Sequence, residues 1–169
     1  MRKYHFLTTW KLDAPRAAVC QAIEDSLAWP EWWPGVERVE ELASGDANGI
    51  GSIRRYTWKG RLPYRLTFDV QVTHMELQTM VEGVASGDVE GRGRWTFSTE
   101  GEFTVARYEW DVRPTLLWMR LLNPLASPLF RWNHDILMQQ GGEGLARRLN
   151  TRLIDILQQT STEELQPAP

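Results

Sequence analysis

The chain has 169 residues, of which 42% are hydrophobic and 24% charged, with a net charge of −3 and nine tryptophans. One domain fits this length better than two, and the composition excludes disordered and fibrous classes. The negative charge argues against nucleic acid as the main partner, and the single cysteine, Cys20, excludes an intramolecular disulfide. Because nine indole rings are costly to expose, the fold must offer them a large apolar interior.

No segment has the pattern of a targeting or membrane-spanning sequence. Residues 1–12 alternate polar and apolar side chains and lack the continuous apolar run of a signal peptide. The longest apolar candidate, residues 116–130, contains Arg120 and two prolines, so no integral membrane segment is expected. We therefore expect a cytoplasmic protein.

The N-terminal part of the chain predicts one strand and two short helical pieces. Apolar side chains alternate along residues 4–12, which is typical of a strand with one buried face. A short helix is predicted over residues 15–24, where apolar positions recur at helical spacing. The next segment, residues 29–35, contains three tryptophans and two prolines, so it is too rich in proline for a long helix. It either plugs one end of the fold or forms a cavity mouth gated by Trp32 or Trp33.

Six further strands are predicted after this segment, separated by turn residues. The alternation is clearest over residues 62–75, where Tyr64 and Phe68 fall on the inward face. Short connections imply antiparallel neighbours. The predicted strands cover residues 36–42, 51–59, 62–75, 79–85, 91–98 and 103–113.

The periodicity then becomes helical. Pro124 and Pro128 should break the first part of this region, because a proline inside a helix removes a hydrogen bond. The pattern predicts one long helix from Ser127 or Pro128 to about Leu157, with Met138 on its apolar stripe.

Two further features concern the C-terminal part of the chain. Gly141, Gly142 and Gly144 each lower helix propensity by roughly 1 kcal/mol relative to alanine, so they indicate a close approach of the helix backbone or a local bend. Residues 160–169 are polar and should form a flexible tail, which leaves residues 1–159 as a single domain.

A curved antiparallel sheet wrapped around one long helix accounts for this order of elements. The order, the Leu-Asp-Ala-Pro entry to the first helix, the segment 29–36 and the closing helix resemble the START-related, polyketide cyclase/dehydrase-like superfamily. The resemblance covers residues 4–157 and includes the helix-grip fold of birch-pollen-allergen-like proteins. It implies an α+β fold of about seven strands around a C-terminal helix, and ligands such as lipids, hormones, quinones or polyketides.

Inward-facing aromatic side chains are the main candidates for a cavity wall. Beyond the gripped helix they have no protein partner, so they must line or fill a cavity, which we expect to measure roughly 300–1,000 Å³. The alternative for each ring is plain core packing. The predicted ligand-binding residues are Trp33, Tyr56, Trp58, Tyr64, Phe68, Trp95, Tyr108, Trp110, His134 and Met138.

One polar cluster, residues 131–135, precedes the apolar stripe of the long helix. Extending the stripe backward from Met138 by helical geometry reaches His134. An imidazole there could hydrogen-bond a ligand carbonyl or act as a general acid/base, and the alternative is a structural histidine. The carboxylates of the strands are explained by cross-strand ion pairs, so none is a strong candidate for the cavity. His5, His74 and His134 lack the spacing of metal ligands, and no cofactor or metal is expected.

Three functions fit these observations. The preferred one is binding of a lipid, quinone or polyketide-like molecule in the cavity, by a monomer or a homodimer. The second is polyketide cyclase or dehydratase activity, with His134 as acid/base and Tyr64 or Tyr108 as its partner. The third is a protein-interaction module, which would have a collapsed interior and an exposed apolar patch.

Overall fold

The computed structural model describes residues 2–164 and the side chains of residues 3–121 and 127–163. Its strands are β1 (Arg2–Leu12), β2 (Val36–Ala43), β3 (Ile53–Trp58), β4 (Leu66–Glu76), β5 (Met80–Gly87), β6 (Val89–Glu100), β7 (Phe103–Pro114) and β8 (Leu153–Glu164). Its helices are α1 (Arg16–Glu24), α2 (Trp29–Trp32) and α3 (Leu117–Arg148). The strands form one antiparallel sheet in the order β2-β3-β4-β5-β6-β7-β1-β8, which curves around α3. The predicted α+β helix-grip fold is confirmed.

Strand alternation separates an aromatic concave face from a charged convex face. In β6, Trp95 and Phe97 are buried, whereas Arg94 beside them points to the other side. The Arg94 Nε donates to the Glu82 carboxylate of β5 at 2.6 Å. This cross-strand ion pair belongs to the class predicted for the strand carboxylates, and it lies on the face opposite Trp95 and Phe97.

The strand predicted over residues 62–75 begins later, because β4 starts at Leu66. The residues before it form a connection that is tied to α3. There the Arg61 backbone N–H donates to the Asn133 Oδ1 of α3 at 2.9 Å. Gly60 makes this contact possible, since a Cβ at its position would lie 2.2 Å from the same oxygen.

Helix α3 begins at Leu117 and includes Pro124 and Pro128, so the prediction that these prolines break the helix is wrong. A proline has a φ close to the helical value, but it removes a backbone hydrogen bond and crowds the preceding turn, so the helix depends on contacts elsewhere. Met119 and Phe130 of the helix pack against the apolar core of the sheet. In the described part of the chain, no helix is long and apolar enough to cross a bilayer.

The same helix ends at Arg148, so the prediction that it continues to about Leu157 is also wrong. The Leu149 N–H donates to the Leu145 carbonyl, and Asn150 follows with a positive φ of 49°. Asparagine tolerates this left-handed conformation better than most residues, and it commonly ends a helix in this way.

After this turn the chain forms β8, which pairs with β1 along its whole length. Leu153 and Ile156, which fit the helical stripe in sequence, pack against the core from this strand instead. Residues 160–164, predicted as the start of a flexible tail, belong to β8, where they pair with residues 2–6 of β1. This pairing satisfies backbone groups on the edge of β1 that faces away from β7. Residues 165–169 of that predicted tail lie outside the described residues.

The glycines of α3 mark the closest approach between the helix and the tryptophan segment. A Cβ on Gly144 would lie 1.9 Å from the Trp32 carbonyl oxygen, and one on Gly141 would lie 2.3 Å from the Trp33 ring. Close approach was one of the two explanations that the sequence offered for these glycines, and the structure confirms it.

Candidate ligand-binding cavity

The space between the concave face of the sheet and α3 contains two adjoining chambers. The polar chamber, bordered at one end by Glu24 and Arg54, has a volume of about 160 Å³. The helix chamber, whose walls include Phe6 and His134, has a volume of about 130 Å³. Each is smaller than the predicted range of roughly 300–1,000 Å³, because aromatic rings fill much of the interior. An apolar cavity of about 150 Å³ accepts a benzene molecule, so each chamber has room for a single aromatic ring.

Aromatic rings shared by both chambers form the wall between them. Trp95 and Tyr108 stack with ring centroids 4.4 Å apart, and Phe68 lies 5.6 Å from Trp110. Gly93 of β6 makes room for this wall, because a Cβ there would lie 2.8 Å from the Tyr108 hydroxyl oxygen and from the Trp110 ring. The residues that line both chambers are Trp29, Trp58, Phe68, Trp95, Tyr108 and Trp110.

His134 lines the helix chamber from α3. Its imidazole stacks on Phe6 with ring centroids 3.8 Å apart, and neither of its ring nitrogens has a hydrogen-bond partner among the described residues. The Asp135 Oδ1 is 3.7 Å from the His134 Nδ1, which is too far for a hydrogen bond. Burial lowers the pKa of His134. The ring is therefore neutral at pH 7, with one nitrogen able to donate and the other able to accept.

The opposite end of the cavity carries a connected polar group. The Arg54 Nη1 donates to the Glu24 backbone carbonyl at 2.9 Å and to the Ser26 Oγ at 2.8 Å. The hydroxyl oxygens of Ser26 and Tyr56 are 2.8 Å apart.

Two atoms of this polar end have no partner. The Arg54 Nε and the Glu24 Oε1 are both buried, and neither makes a hydrogen bond within the described part of the chain. Burial raises the pKa of Glu24, so its carboxyl retains a proton at a higher pH than an exposed one. One N–H donor and one carboxyl group are therefore available to a polar group in this chamber.

The tryptophan segment forms a fixed wall of the cavity. Trp33 is 1% exposed, and its Nε1 donates to the Leu137 carbonyl of α3 at 2.8 Å. The Trp29 Nε1 donates to the Ile23 carbonyl at 3.0 Å, and Trp32 is also buried. These contacts fit the predicted plug better than a mouth gated by Trp32 or Trp33.

All ten predicted site residues lie on the chamber walls, and their part in binding a ligand stays a prediction. Tyr56 lines the polar chamber. Trp33, Tyr64, His134 and Met138 line the helix chamber. Trp58, Phe68, Trp95, Tyr108 and Trp110 line both.

The polar end of the cavity was not predicted. The carboxyl groups considered from the sequence were only those of the strands, whereas Glu24, which lines the polar chamber, lies at the end of α1. Arg54 lies two residues before Tyr56 on β3, so strand alternation places both side chains on the same face. That spacing was available in the sequence, whereas the burial of Glu24 depends on how α1 packs.

Several solved structures share the fold of this chain. A protein from Thermus thermophilus, TTHA0849, has a TM-score of 0.69 at 18% sequence identity, covering 85% of this chain and 98% of its own. A START superfamily protein from Mycobacterium smegmatis has a TM-score of 0.69 at 16% identity, covering 86% and 97%. The Zhui aromatase/cyclase from Streptomyces sp. R1128 has a TM-score of 0.59 at 17% identity, covering 86% and 96%. No curated protein matches the chain significantly in sequence.

The sequence also matches a family over most of its length. Residues 5–155 match the family described as polyketide cyclase / dehydrase and lipid transport. The match begins in β1 and ends in β8, so it includes every element that lines the two chambers. The resemblance predicted from the sequence is confirmed, and the chain belongs to the polyketide cyclase/dehydrase and lipid transport family.

Proposed function

We propose that the protein binds an apolar small molecule that carries a polar group at each end. The observation that carries this proposal is that each chamber has buried hydrogen-bonding atoms without a partner among the described residues: both nitrogens of His134 in one chamber, and the Arg54 Nε and Glu24 Oε1 in the other. The Trp58 Nε1, on the wall shared by the chambers, is also without such a partner. Buried polar atoms are costly unless something satisfies them, and a ligand between these two ends would do so. The aromatic walls between the ends suit an apolar body.

The position of the polar atoms favours one class among the predicted ligands. A quinone or polyketide-like aromatic molecule has oxygens at opposite edges of a flat apolar body, whereas a simple lipid chain has a polar group at one end. A molecule of two fused rings would occupy both chambers if the shared aromatic wall shifts around it. Membership of this family and the fold shared with an aromatase/cyclase support this class.

Matched naphthalenes test the proposal. The affinities of 2-methylnaphthalene, 2-naphthol and 2,6-dihydroxynaphthalene are measured by quenching of tryptophan fluorescence. We expect each hydroxyl to raise the affinity by roughly twofold to tenfold, the value of one net hydrogen bond. Absence of binding for all three would contradict the proposed function, and equal affinities would contradict its polar ends.

Variants locate the bound hydroxyl. Glu24→Leu should remove the advantage of the second hydroxyl while leaving the affinity for 2-methylnaphthalene nearly unchanged. Glu102→Leu, in the exposed turn between β6 and β7, is the control and should preserve the whole affinity order. A loss of affinity for all probes in Glu24→Leu would indicate a damaged fold, which circular dichroism would detect.

A second candidate function is proton transfer in a polyketide cyclase or dehydratase reaction. It is favoured by the neutral, unpartnered imidazole of His134 in an apolar chamber. Such a ring can accept a proton from the carbon beside a ligand carbonyl and return a proton to the carbonyl oxygen, which converts a ketone into its enol. Burial raises the pKa of Tyr64 to about 12 and also raises that of Tyr108, so both hydroxyls stay protonated and can donate to the oxygen.

Hydrogen exchange into a bicyclic ketone tests this second function. The protein is incubated with 2-tetralone in deuterated water, and loss of the hydrogens beside the carbonyl is followed by NMR. We expect His134→Ala to slow the catalysed exchange by about 10²–10⁴-fold while lowering the affinity for 2-tetralone much less. Equal exchange rates in the wild type and the variant would limit His134 to a binding or structural role.

A further inference from the structure

The first half of α3 exposes large apolar side chains on one side. Leu121 is 81% exposed, Leu117 71% and Trp132 48%. On an ideal helix these side chains and their apolar neighbours span about 120° around the axis. The apolar arc consists of Leu117, Trp118, Leu121, Leu129 and Trp132. Large apolar side chains exposed together on one side of a helix mark an interaction site.

The charge beside the apolar arc is mainly positive. Arg120 and Arg131 are exposed beside the arc, residues 115–134 contain no aspartate or glutamate, and the partly exposed Asp135 lies one turn beyond Arg131. A helix with an apolar face, flanking arginines and tryptophans is suited to lie in the headgroup region of an anionic bilayer. The arginines would be attracted to the negative surface, while the leucines enter the apolar layer beneath it.

The apolar arc lies directly outside the helix chamber. Trp118 of the arc contacts Tyr64 edge-on, with ring centroids 5.1 Å apart, and lies 6.4 Å from Phe130. Tyr64 and Phe130 are themselves walls of the helix chamber. A single layer of aromatic side chains therefore separates the exposed surface from the interior.

We propose that this half of α3 docks on the surface of a phospholipid bilayer that contains anionic headgroups. Docking places the helix chamber beside the hydrocarbon layer, from which an apolar molecule can enter without crossing water. A second copy of the chain is a poorer occupant, because a symmetric contact would bring four arginines, Arg120 and Arg131 of both copies, together with only the two Asp135 carboxylates to balance them. The interaction-module alternative expected such a patch over a collapsed interior, whereas here the patch covers a chamber.

Sedimentation with vesicles tests the docking. Vesicles of phosphatidylcholine alone are compared with vesicles that contain about one third phosphatidylglycerol. We expect the wild type to bind the anionic vesicles at least about tenfold more strongly, and to lose this preference as salt is added. Arg120→Gln with Arg131→Gln should also remove the preference.

The apolar contribution is tested by a double substitution with a matched control. Leu117→Glu with Leu121→Glu should weaken binding to anionic vesicles by at least about tenfold, because two charges replace two apolar contacts. Leu77→Glu, in the turn between β4 and β5, is the control, since Leu77 is 82% exposed but lies outside the apolar arc. Naphthol binding by the double variant should equal that of the wild type, which separates docking from the binding function proposed above.

Three results would overturn the docking. The first is recovery of the wild type only in the supernatant with anionic vesicles, and the second is an equal loss of binding in Leu77→Glu and in the double variant. The third is a wild-type dimer in light scattering that the double variant abolishes, in the absence of vesicle binding. That last result would assign the apolar arc to a second copy of the chain.

Discussion

The two halves of α3 contact the rest of the protein in different ways. The first half packs Met119 and Phe130 against the sheet, while the apolar arc points outward. The second half buries Leu145 in the core and, in addition, Gly141 and Gly144 let its backbone meet the tryptophan segment directly. The glycines lower the helix propensity of the second half, yet their close contacts fix its position in the fold. The apolar side chains of the arc, by contrast, remain largely exposed. One helix combines a rigid anchor with a surface left free for another contact.

The largest effect expected from this difference is that of Gly144→Ala. The added Cβ would lie 1.9 Å from the Trp32 carbonyl oxygen, which is a backbone atom and cannot rotate away. We expect a loss of about 2–3 kcal/mol in the free energy of unfolding, despite the better helix propensity of alanine. The midpoint of thermal unfolding should fall by about 5–10 °C, measured together with urea denaturation.

Gly142→Ala is the matched control for that substitution. Its Cβ would lie 3.1 Å from the Trp10 ring and 3.2 Å from the Ile156 side chain, and both are side chains that can shift slightly. Stability should therefore change little. Equal losses of stability in Gly144→Ala and Gly142→Ala would contradict the conclusion that there is no room for a side chain at residue 144.

A smaller effect is expected from the pH dependence of His134, which lies where the two halves of α3 meet. Burial holds its pKa in the folded protein below the unfolded value of about 6.5. As the pH falls, His134 of the unfolded chain binds a proton before His134 of the folded protein does. The free energy of unfolding is therefore highest above the unfolded pKa and decreases as the pH falls below it. Between about pH 7.5 and about pH 5.5 the loss should reach at most about 1.4 kcal/mol.

His134→Gln isolates this contribution, because His5 and His74 are present in both proteins. The wild type should lose more stability than the variant over the same pH interval, as measured by urea denaturation. An identical pH dependence in the two proteins would mean that His134 is solvated or hydrogen-bonded in the folded state.

Much of the fold was predictable because a sheet favours period-two alternation in its strands, and the seven strands predicted from the sequence correspond to β1–β7. The errors lie at the ends of α3. Leu145, Leu149 and Leu153 continue a helical spacing, but Leu153 belongs to β8, whose pairing with β1 depends on residues far away in sequence. Likewise, Pro124 remains helical because contacts elsewhere in α3 stabilise the helix.

The cavity walls were predictable for the same reason, since large aromatic residues on a concave face have few other places to go. Its division into two chambers was not, because the orientation of Tyr108 and Trp110 depends on the space beside Gly93. Glu24 was missed because its burial depends on the packing of α1. A cytoplasmic location, the domain bounds 1–159 and the monomeric or dimeric state stay predictions.

The position of β1 between β7 and β8 has a consequence for folding. Both neighbours of the first strand come from the second half of the chain, with Tyr4 opposite Val112 on one side and Thr162 on the other. Pairing of such distant segments requires the closure of long loops. The entropy cost of that closure precedes the stabilising contacts, which slows folding. Before β8 pairs with β1, one edge of β1 has unpaired backbone groups that could pair with a strand of another molecule. The last strand therefore protects the first one from association with other chains, and its loss would expose that edge.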